Sequence, residues 1–371
     1  MFSFWVVKLQ KKSLEIKKQI NECFFIFAFM NLPLLKKELS NMLNAALRDF
    51  GKRIVLVTHV NPDGDAIGSA LGFFGFLKEL GFELVDLVVP NDYADFLKWM
   101  PGNENIFIAS ENQSQSDELI ENADVLFCLD FNHPDRAHNL KHAINRSKAL
   151  KIVIDHHPQP ALEVFDIVVS DVSVSSTAEL IFIVINSLNK CEVINKNIAT
   201  CLFAGIITDT GSFSYSNNNP QTYLIAAFLI SRGVDALSVN RNIYDTYSED
   251  RIRLLGYCLK DKLKVLPNRK VAYICLTMDE LKLYNYREGD TEGIVNYALS
   301  IDGIQLAAFF MERDDIIKIS FRSRRLIDVN VIARKYFNGG GHVNAAGGML
   351  TTDMKDAVGK FEDLFTSGEY L

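Results

Sequence analysis

IVLVTHVNPDGDAIGSALGFFGFLKEL, residues 54–80, contains the strand, loop and helix from which the fold follows. Its first five residues are apolar or β-branched and lie between charged residues and a polar loop, which predicts a buried parallel strand. From Ile67 to Leu80 the apolar residues recur with helical spacing, and Gly81 is a typical residue to end the helix. The stretch therefore predicts a strand, a polar loop and a crossover helix.

The same strand–loop–helix pattern recurs along the first two-thirds of the chain. Further strands are predicted at 84–89, 125–130 and 152–155, and further helices at 34–50, 94–100, 137–147, 176–188, 198–207 and 221–231. The helix from Ser176 opens with Ser-Thr-Ala-Glu, the pattern of a capping box. Alternating strands and helices predict an open α/β sheet with crossover helices.

After residue 236 the pattern changes, which predicts a second domain. Residues 237–263 are helical in pattern and rich in charge. Strands follow at 271–277, 305–312 and 316–322, the last two as a hairpin, and then a short helix at 329–337. We therefore expect an N-terminal parallel-sheet α/β domain with flanking helices (30–236), a helical linker (237–263), a smaller α/β domain with a mixed sheet (264–371) and a non-essential N-terminal extension (1–29).

Composition excludes several classes of protein. The 371 residues include 39 Lys and Arg against 46 Asp and Glu, a formal net charge of −7, which argues against stable binding to duplex DNA. The longest apolar run, Cys23–Met30, is far shorter than the roughly 20 residues that span a bilayer, so we expect no membrane association. The six cysteines contain no C-x-x-C pair, which favours free thiols in a reducing cytoplasm.

Acidic and imidazole side chains follow several of the predicted elements directly. One group follows the first strand, two groups end later strands, and one residue ends an apolar helix; they are His59, Asp63, Asp65, Asp130, Asp155, His156, His157 and Asp209. Because the carboxyl ends of parallel strands meet at one edge of a sheet, we expect these side chains to converge. So many buried ionisable groups require a compensating positive charge.

The types of these residues indicate which charge compensates them. Asp and His without Cys suit Mn²⁺, Mg²⁺, Fe²⁺ or Co²⁺ better than structural zinc. Their number exceeds the needs of one ion and suits two ions about 3.5–4 Å apart, bridged by a carboxylate and a water. Such a pair activates water and binds phosphoryl oxygens. The residues therefore predict a two-metal phosphoesterase.

A glycine-rich segment, NGGGHVNAAGG at 338–348, is the second candidate site. Consecutive glycines allow close approach of the backbone, and their N–H groups can hold an anion. His342 could donate to a phosphate or stack on a base. Residues 320–324 end the preceding strand and could add charge-assisted hydrogen bonds through Ser320, Arg322, Ser323 and Arg324. On spacing alone, a flexible glycine loop without a ligand remains an alternative.

The order of these motifs resembles a known family. H-x-x-x-D-x-D (59–65), the strand-end Asp130, D-H-H (155–157), S-S-T-A-E (175–179) and T-D-T-G (208–211) resemble the DHH phosphoesterase superfamily. F-R-S-R (321–324) followed by G-G-G-H-x-x-A-A-G (339–347) resembles its DHH-associated C-terminal domain. The compact length is similar to the branch of bacterial nanoRNases that also act as 3′-phosphoadenosine-5′-phosphate phosphatases.

The resemblance implies roles for individual residues. One ion would be bound by His59, Asp63 and Asp130, and the second by Asp65, Asp130, His156 and Asp209, with Mn²⁺ favoured over Mg²⁺ or Co²⁺. The catalytic set would be Asp130 as the bridge, His157 at the phosphate and Asp155 orienting a ligand. The substrate would be held by Arg322, Ser323, Arg324, Gly339, Gly340, Gly341 and His342. The family usually has a fourth glycine where this chain has Asn338, which could change substrate preference but not the chemistry.

The resemblance also implies a function. We expect hydrolysis of short single-stranded RNA to mononucleotides and of 3′-phosphoadenosine-5′-phosphate to AMP, in the cytoplasm, with a homodimer as one alternative for the oligomeric state. Other enzymatic alternatives are a phosphodiesterase for linear dinucleotides or cyclic di-AMP, a RecJ-like single-strand exonuclease and an exopolyphosphatase. A non-catalytic nucleotide-binding module is the alternative from another class.

Overall fold

The computed structural model describes residues 32–215, 219–266, 270–324 and 327–366. The expectation for residues 1–29 therefore lies outside the described residues. The chain forms two compact units. The N-terminal unit contains the described residues up to Asp92 together with Leu97–Ile243, and the C-terminal unit contains Tyr93–Phe96 together with the chain from Tyr244. The division after Ile243 falls inside the predicted linker.

The N-terminal unit contains a six-stranded sheet with the strand order β3-β2-β1-β4-β5-β6, in which every neighbouring pair is parallel. Its strands are β1 Ile54–Val57, β2 Val85–Val89, β3 Ile106–Ile108, β4 Val125–Leu129, β5 Leu150–Asp155 and β6 Ile167–Ser170. The predicted parallel sheet is confirmed. The two edge strands, β3 and β6, were not predicted, because they are only partly buried and lack the continuous buried apolar run that indicates β1.

In the part of the chain that the structure describes, three helices lie between these strands, one precedes β1 and four follow β6. They are α1 Lys37–Ala46, α2 Gly64–Glu79, α3 Gln113–Glu121, α4 Lys141–Arg146, α5 Thr177–Ser187, α6 Lys196–Asp209, α7 Pro220–Ser231 and α8 Ala236–Tyr244. The helix predicted at 94–100 is wrong: a 3₁₀ turn of three residues, Asp95–Leu97, takes its place. Pro101 disfavours a helical conformation of Met100, the last residue of the predicted helix. The helix predicted at 137–147 is broken, because His138 adopts a φ of 46° and kinks the 3₁₀ segment Pro134–Leu140, and the α-helix begins only at Lys141.

Close packing of α2 against α6 brings the start of one helix beside the end of the other. Glycines recur every fourth residue on α2, and a Cβ added at Gly68 would lie 2.6 Å from the carbonyl oxygen of Cys201. A Cβ added at Gly64 would collide with Thr208. The start of α2 therefore lies beside the end of α6, which brings the neighbouring Asp65 and Asp209 to the same side of the sheet.

The C-terminal unit contains a mixed six-stranded sheet with the order β11-β12-β10-β9-β8-β7, in which only β8 and β9 pair in parallel. Its strands are β7 Leu263–Leu266, β8 Val271–Leu276, β9 Leu306–Arg313, β10 Ile316–Ser323, β11 Gly340–His342 and β12 Ala345–Leu350, and its helices are α9 Glu249–Tyr257, α10 Met278–Leu283, α11 Ile294–Ser300, α12 Val329–Tyr336 and α13 Met354–Thr366. The mixed sheet and the β9–β10 hairpin are confirmed. The glycine-rich segment forms a second hairpin, β11–β12, which was not predicted.

Within the described residues, no single helix is both long and apolar enough to cross a bilayer. The pair α7 and α8 reaches the required length and composition together, but it is bent by 108°. The five cysteines among the described residues are free thiols.

Replacing Gly68 with alanine tests the close packing of α2 on α6. The new methyl group would meet backbone atoms, which cannot rotate away, so we expect the Gly68→Ala variant to lose about 1–3 kcal/mol of unfolding free energy. Gly256, within α9, is the matched control, because a Cβ there meets nothing within 4 Å. Gly256→Ala should be neutral or slightly stabilising. Urea unfolding of both variants measures the difference, and equal stabilities would contradict the packing argument.

Candidate metal centre

The predicted ligands lie at the carboxyl ends of three adjacent strands. His59 and Asp63 follow β1, Asp130 follows β4, and Asp155 ends β5. The strand order reverses between β1 and β4, so the loops after these two strands leave the sheet in opposite directions. A crevice forms at such a reversal, and ligands of open α/β sheets bind there.

The structure brings these side chains together in three groups whose ligand atoms lie within 4.8 Å of one another. The groups are His59, Asp63 and Asp130; Asp65, Asp130 and His156; and Asp130, Asp155 and His157. Asp209 approaches the second group, with Oδ2 3.4 Å from His156 Nε2. All eight residues singled out from the sequence therefore take part in one cluster.

Asp130 is the member common to all three groups. Its Oδ2 lies 3.3 Å from His59 Nε2, and its Oδ1 lies 3.7 Å from His156 Nε2 and 3.6 Å from His157 Nδ1. The residue is 2% exposed and adopts a φ of 64°, a left-handed conformation that residues other than glycine rarely take. Such strain is typical of functional sites.

The N-terminus of α5 holds two of the carboxylates. The Thr177 backbone N–H donates to Asp65 Oδ2 at 2.6 Å, and the Ala178 N–H donates to Asp65 Oδ1 at 2.9 Å. The Thr177 hydroxyl donates to Asp130 Oδ1 at 2.8 Å. The helix dipole adds to these bonds, since the N-terminus of a helix favours negative charge. Sequence reasoning found the start of this helix but missed Thr177 as a residue of the site.

The hydrogen bonds of the imidazoles determine which nitrogen is free. His59 Nδ1 lies 2.9 Å from the carbonyl oxygen of Val60, which can only accept, so Nδ1 carries the proton. Its buried Nε2 has no hydrogen-bond partner of good geometry in the described part of the chain. His157 Nδ1 lies 2.7 Å from Asp155 Oδ1, so Asp155 likewise fixes the orientation of His157.

Charge interactions shift several pKa values in the metal-free protein. Burial alone would lower the pKa of His59 and of His156, but Asp130 and Asp63 raise the pKa of His59, and Asp209 and Asp130 raise that of His156. Burial and the charges of Asp130 and Asp209 raise the pKa of Asp65 well above its usual value. Burial opposes ionisation of Asp130, yet the adjacent His59 imidazole and the charge of His157 lower its pKa. Without metal, protons therefore balance part of the negative charge.

These observations fit divalent metal ions. The donors are oxygens and imidazole nitrogens, and the orphaned lone pair on His59 Nε2 lies beside Asp130 in the group that includes Asp63. Cations would satisfy this nitrogen and compensate the buried carboxylates. The cluster is thus a metal-binding site, and its division into groups that share Asp130 suits two ions.

The second candidate site lies within the C-terminal unit. Arg322 of β10 pairs in register with Ala345 of β12, which pairs with His342 of β11. Residues directly opposite one another share a face of the sheet, so Arg322 and His342 lie on one face, opposite to the buried Phe321. The two motifs that the sequence suggested are therefore adjacent in this sheet.

Other residues predicted to bind substrate make bonds within the C-terminal unit. The Ser323 hydroxyl is buried, donates to the carbonyl of Ile327 and accepts from Asn344. The Gly339 N–H donates to the carbonyl of Ala333, and the Gly341 N–H donates to Asn330 Oδ1. Arg324 is exposed, and its backbone N–H donates to Gln305. Gly340 lies within the β11–β12 ladder, where it pairs with Gly347.

Comparison with known proteins follows the same two-unit division. Residues 53–206 match the N-terminal domain of the DHH family, and residues 270–367 match the DHHA1 domain. The chain is 31% identical over 301 residues to a bifunctional oligoribonuclease and PAP phosphatase NrnA of Thermus thermophilus, covering 80% of this chain and 84% of that protein. The NrnA of Bacillus subtilis is 29% identical, covering 80% and 89%.

A solved structure gives a further comparison. The crystal structure of an exopolyphosphatase-related protein from Bacteroides fragilis superimposes with a TM-score of 0.84 at 40% identity, covering 90% of this chain and 96% of that one.

Replacing Asp130 with alanine tests the shared carboxylate. We expect Asp130→Ala to lose bound Mn²⁺ and to reduce phosphodiester hydrolysis at least about 100-fold, since even residues that only support ligands alter metal affinity 10–100-fold. The metal-free variant should remain folded, because the apolar core that packs against the sheet does not include Asp130. Metal analysis, turnover of a chromogenic phosphodiester and circular dichroism measure these effects.

The control is Asp135→Ala, at an exposed position in the same loop. Retained turnover in Asp130→Ala would contradict the assignment.

The raised pKa values predict how metal affinity depends on pH. His59 and His156 must be neutral to bind metal, and their pKa values lie above 6.5 in the metal-free protein. Protons therefore compete with metal below these values, and Mn²⁺ affinity should rise as the pH increases from about 6 to 8. Calorimetric titration in two buffers of different ionisation enthalpy measures the protons released. An affinity independent of pH over this interval, without proton release, would refute the prediction.

Proposed function

The chain belongs to the DHH family of phosphoesterases, and from this premise we propose that it hydrolyses short oligoribonucleotides to mononucleotides and 3′-phosphoadenosine-5′-phosphate to AMP. The single observation that carries the proposal is the pair of Asp/His groups that share Asp130 in a chain that has both the DHH and the DHHA1 domains. Two relatives whose names include both activities match this chain over most of their own length.

In this proposal, His59, Asp63 and Asp130 hold one divalent ion, and Asp65, Asp130, His156 and Asp209 hold the second. When bound, the ions supply Lewis acidity for the phosphoryl oxygens and lower the pKa of an attacking water. Mn²⁺ is the proposed native ion, since oxygen and imidazole ligands together suit it.

The protein's own groups orient the reaction. Asp155 accepts from His157 Nδ1 and so presents Nε2 of that ring for a hydrogen bond to the substrate phosphate. Protonated His157 would stabilise negative charge that develops on the phosphoryl group. Thr177 holds Asp65 and Asp130 in place, so neither carboxylate needs to reorganise during the reaction.

The C-terminal unit is proposed to select the substrate. Arg322 can form charge-assisted hydrogen bonds with a second phosphate, and His342, on the same face of the sheet, can stack on a base or donate to a phosphate. Ser323, Gly339 and Gly341 are proposed to support this surface through their internal hydrogen bonds rather than through substrate contacts.

A second candidate function is exopolyphosphatase activity, which the name of the 40% identical Bacteroides protein suggests. Polyphosphate offers phosphates but no bases. Arg322 could bind it as well as it binds a nucleotide, whereas stacking on His342 would contribute nothing. Substrate comparison therefore separates the two functions.

A panel of substrates tests the proposal directly. The purified chain is incubated with Mn²⁺ or with chelator and a 5′-phosphorylated RNA dinucleotide, a 24-mer RNA, 3′-phosphoadenosine-5′-phosphate, cyclic di-AMP or polyphosphate. We expect Mn²⁺-dependent release of mononucleotides from the dinucleotide, AMP from 3′-phosphoadenosine-5′-phosphate and slow attack on the 24-mer. Activity only on polyphosphate or only on cyclic di-AMP would overturn the proposed substrate and keep the metal centre. A folded, metal-loaded protein inactive on every substrate would favour a non-catalytic module.

A further inference from the structure

Glu179 is a buried acid that lies outside the metal cluster. Its side chain is fully buried on α5. One oxygen, Oε2, accepts three hydrogen bonds: from the Ser175 backbone N–H at 2.9 Å, the Ser175 hydroxyl at 2.6 Å and the Thr222 hydroxyl at 2.8 Å. The other oxygen, Oε1, accepts none in the described part of the chain.

These bonds differ from those of the capping box that the sequence predicts. The Ser176 hydroxyl accepts from the Glu179 backbone N–H at 3.0 Å, as a capping box requires. The carboxylate should then accept from the backbone N–H of Ser176, but it accepts from Ser175 instead and also reaches Thr222 on α7. Glu179 therefore connects the preceding loop, α5 and the start of α7.

The helix start fixed in this way is the one that holds the metal ligands. Thr177 and Ala178, which donate to Asp65 and Asp130, lie between Ser175 and Glu179. We infer that Glu179 and Thr222 are positioning residues, which hold the first turn of α5 in the orientation that aligns Asp65 and Asp130 for metal. This inference rests on the proposed ligand roles of those two carboxylates.

Folding alone does not require an acid here. A buried carboxylate is costly to desolvate, and the side chain of Ser176 already caps the helix. Asp65 and the first turn of α5 also pack tightly against α6: a Cβ at Gly205 would lie 2.6 Å from the Ala178 Cβ and 3.0 Å from Asp65 Oδ1. A small shift of the α5 terminus would therefore displace Asp65.

Thr222 offers a test outside the cluster itself. Thr222→Val retains the shape of the side chain but removes the hydroxyl donor, and Thr222→Ser, the matched control, retains the donor. With Mn²⁺ alone as the probe, calorimetry should show affinity weakened roughly 10-fold or more in the valine variant and close to wild type in the serine variant. At saturating Mn²⁺, turnover of a chromogenic phosphodiester by the valine variant should recover.

Hydrogen exchange distinguishes positioning from a merely structural role. In the metal-free full-length protein, the amides of Thr177 and Ala178 should exchange faster in Thr222→Val and in Glu179→Gln than in wild type. A lower melting temperature with unchanged Mn²⁺ affinity and unchanged exchange at these two amides would overturn the inference.

The Mn²⁺ titration also separates the two proposals. Wild-type protein that binds Mn²⁺ but hydrolyses no nucleotide would refute the proposed function and leave this test intact. Wild-type protein that binds no Mn²⁺ would refute both the ligand roles and the inference.

Discussion

Asp130 imposes the constraint on which the rest of the N-terminal unit depends. To belong to all three groups, its carboxylate has to lie within reach of three imidazoles, and it is also only 2% exposed. The parallel sheet meets this requirement by placing the residue directly after a buried central strand, where the strand order reverses. The chain there adopts a left-handed conformation. The local strain is borne by a sheet whose neighbouring strands are buried.

Helix packing completes the cluster. The sheet supplies His59, Asp130 and the residues after β5, but Asp65 and Asp209 come from the ends of two helices. Without side chains at Gly64 and Gly68, α2 and α6 approach closely enough for their opposite ends to meet. The N-terminus of α5 then supplies hydrogen bonds without adding charge. Charged ligands, small residues and backbone donors thus come from different elements and meet at one edge of the sheet.

This division explains how far the sequence predicts the structure. The strand-end acids and imidazoles could be identified, because an apolar run that stops at Asp130 or Asp155 indicates both the strand and the edge. The backbone donors of α5 could not, since every residue type except proline has a backbone N–H group. The short edge strands gave too little pattern, and the glycine-rich segment suggested a loop although it forms the β11–β12 hairpin. Its pairing depends on β10, which is distant in sequence.

The same hairpin explains why one departure from the family's glycine pattern is tolerated. Asn338 adopts a φ of 46°, a left-handed conformation in which asparagine is the best substitute for glycine. The next position differs, because a Cβ on Gly339 would collide with the backbone of Gly347. At Gly341 a Cβ would lie 2.5 Å from the carbonyl oxygen of Ala345. The backbone can therefore follow the same path with Asn338 but not with a side chain at either of the other two positions. Since the hairpin also sets the register of His342 with Arg322, the departure leaves the spacing of these two residues intact.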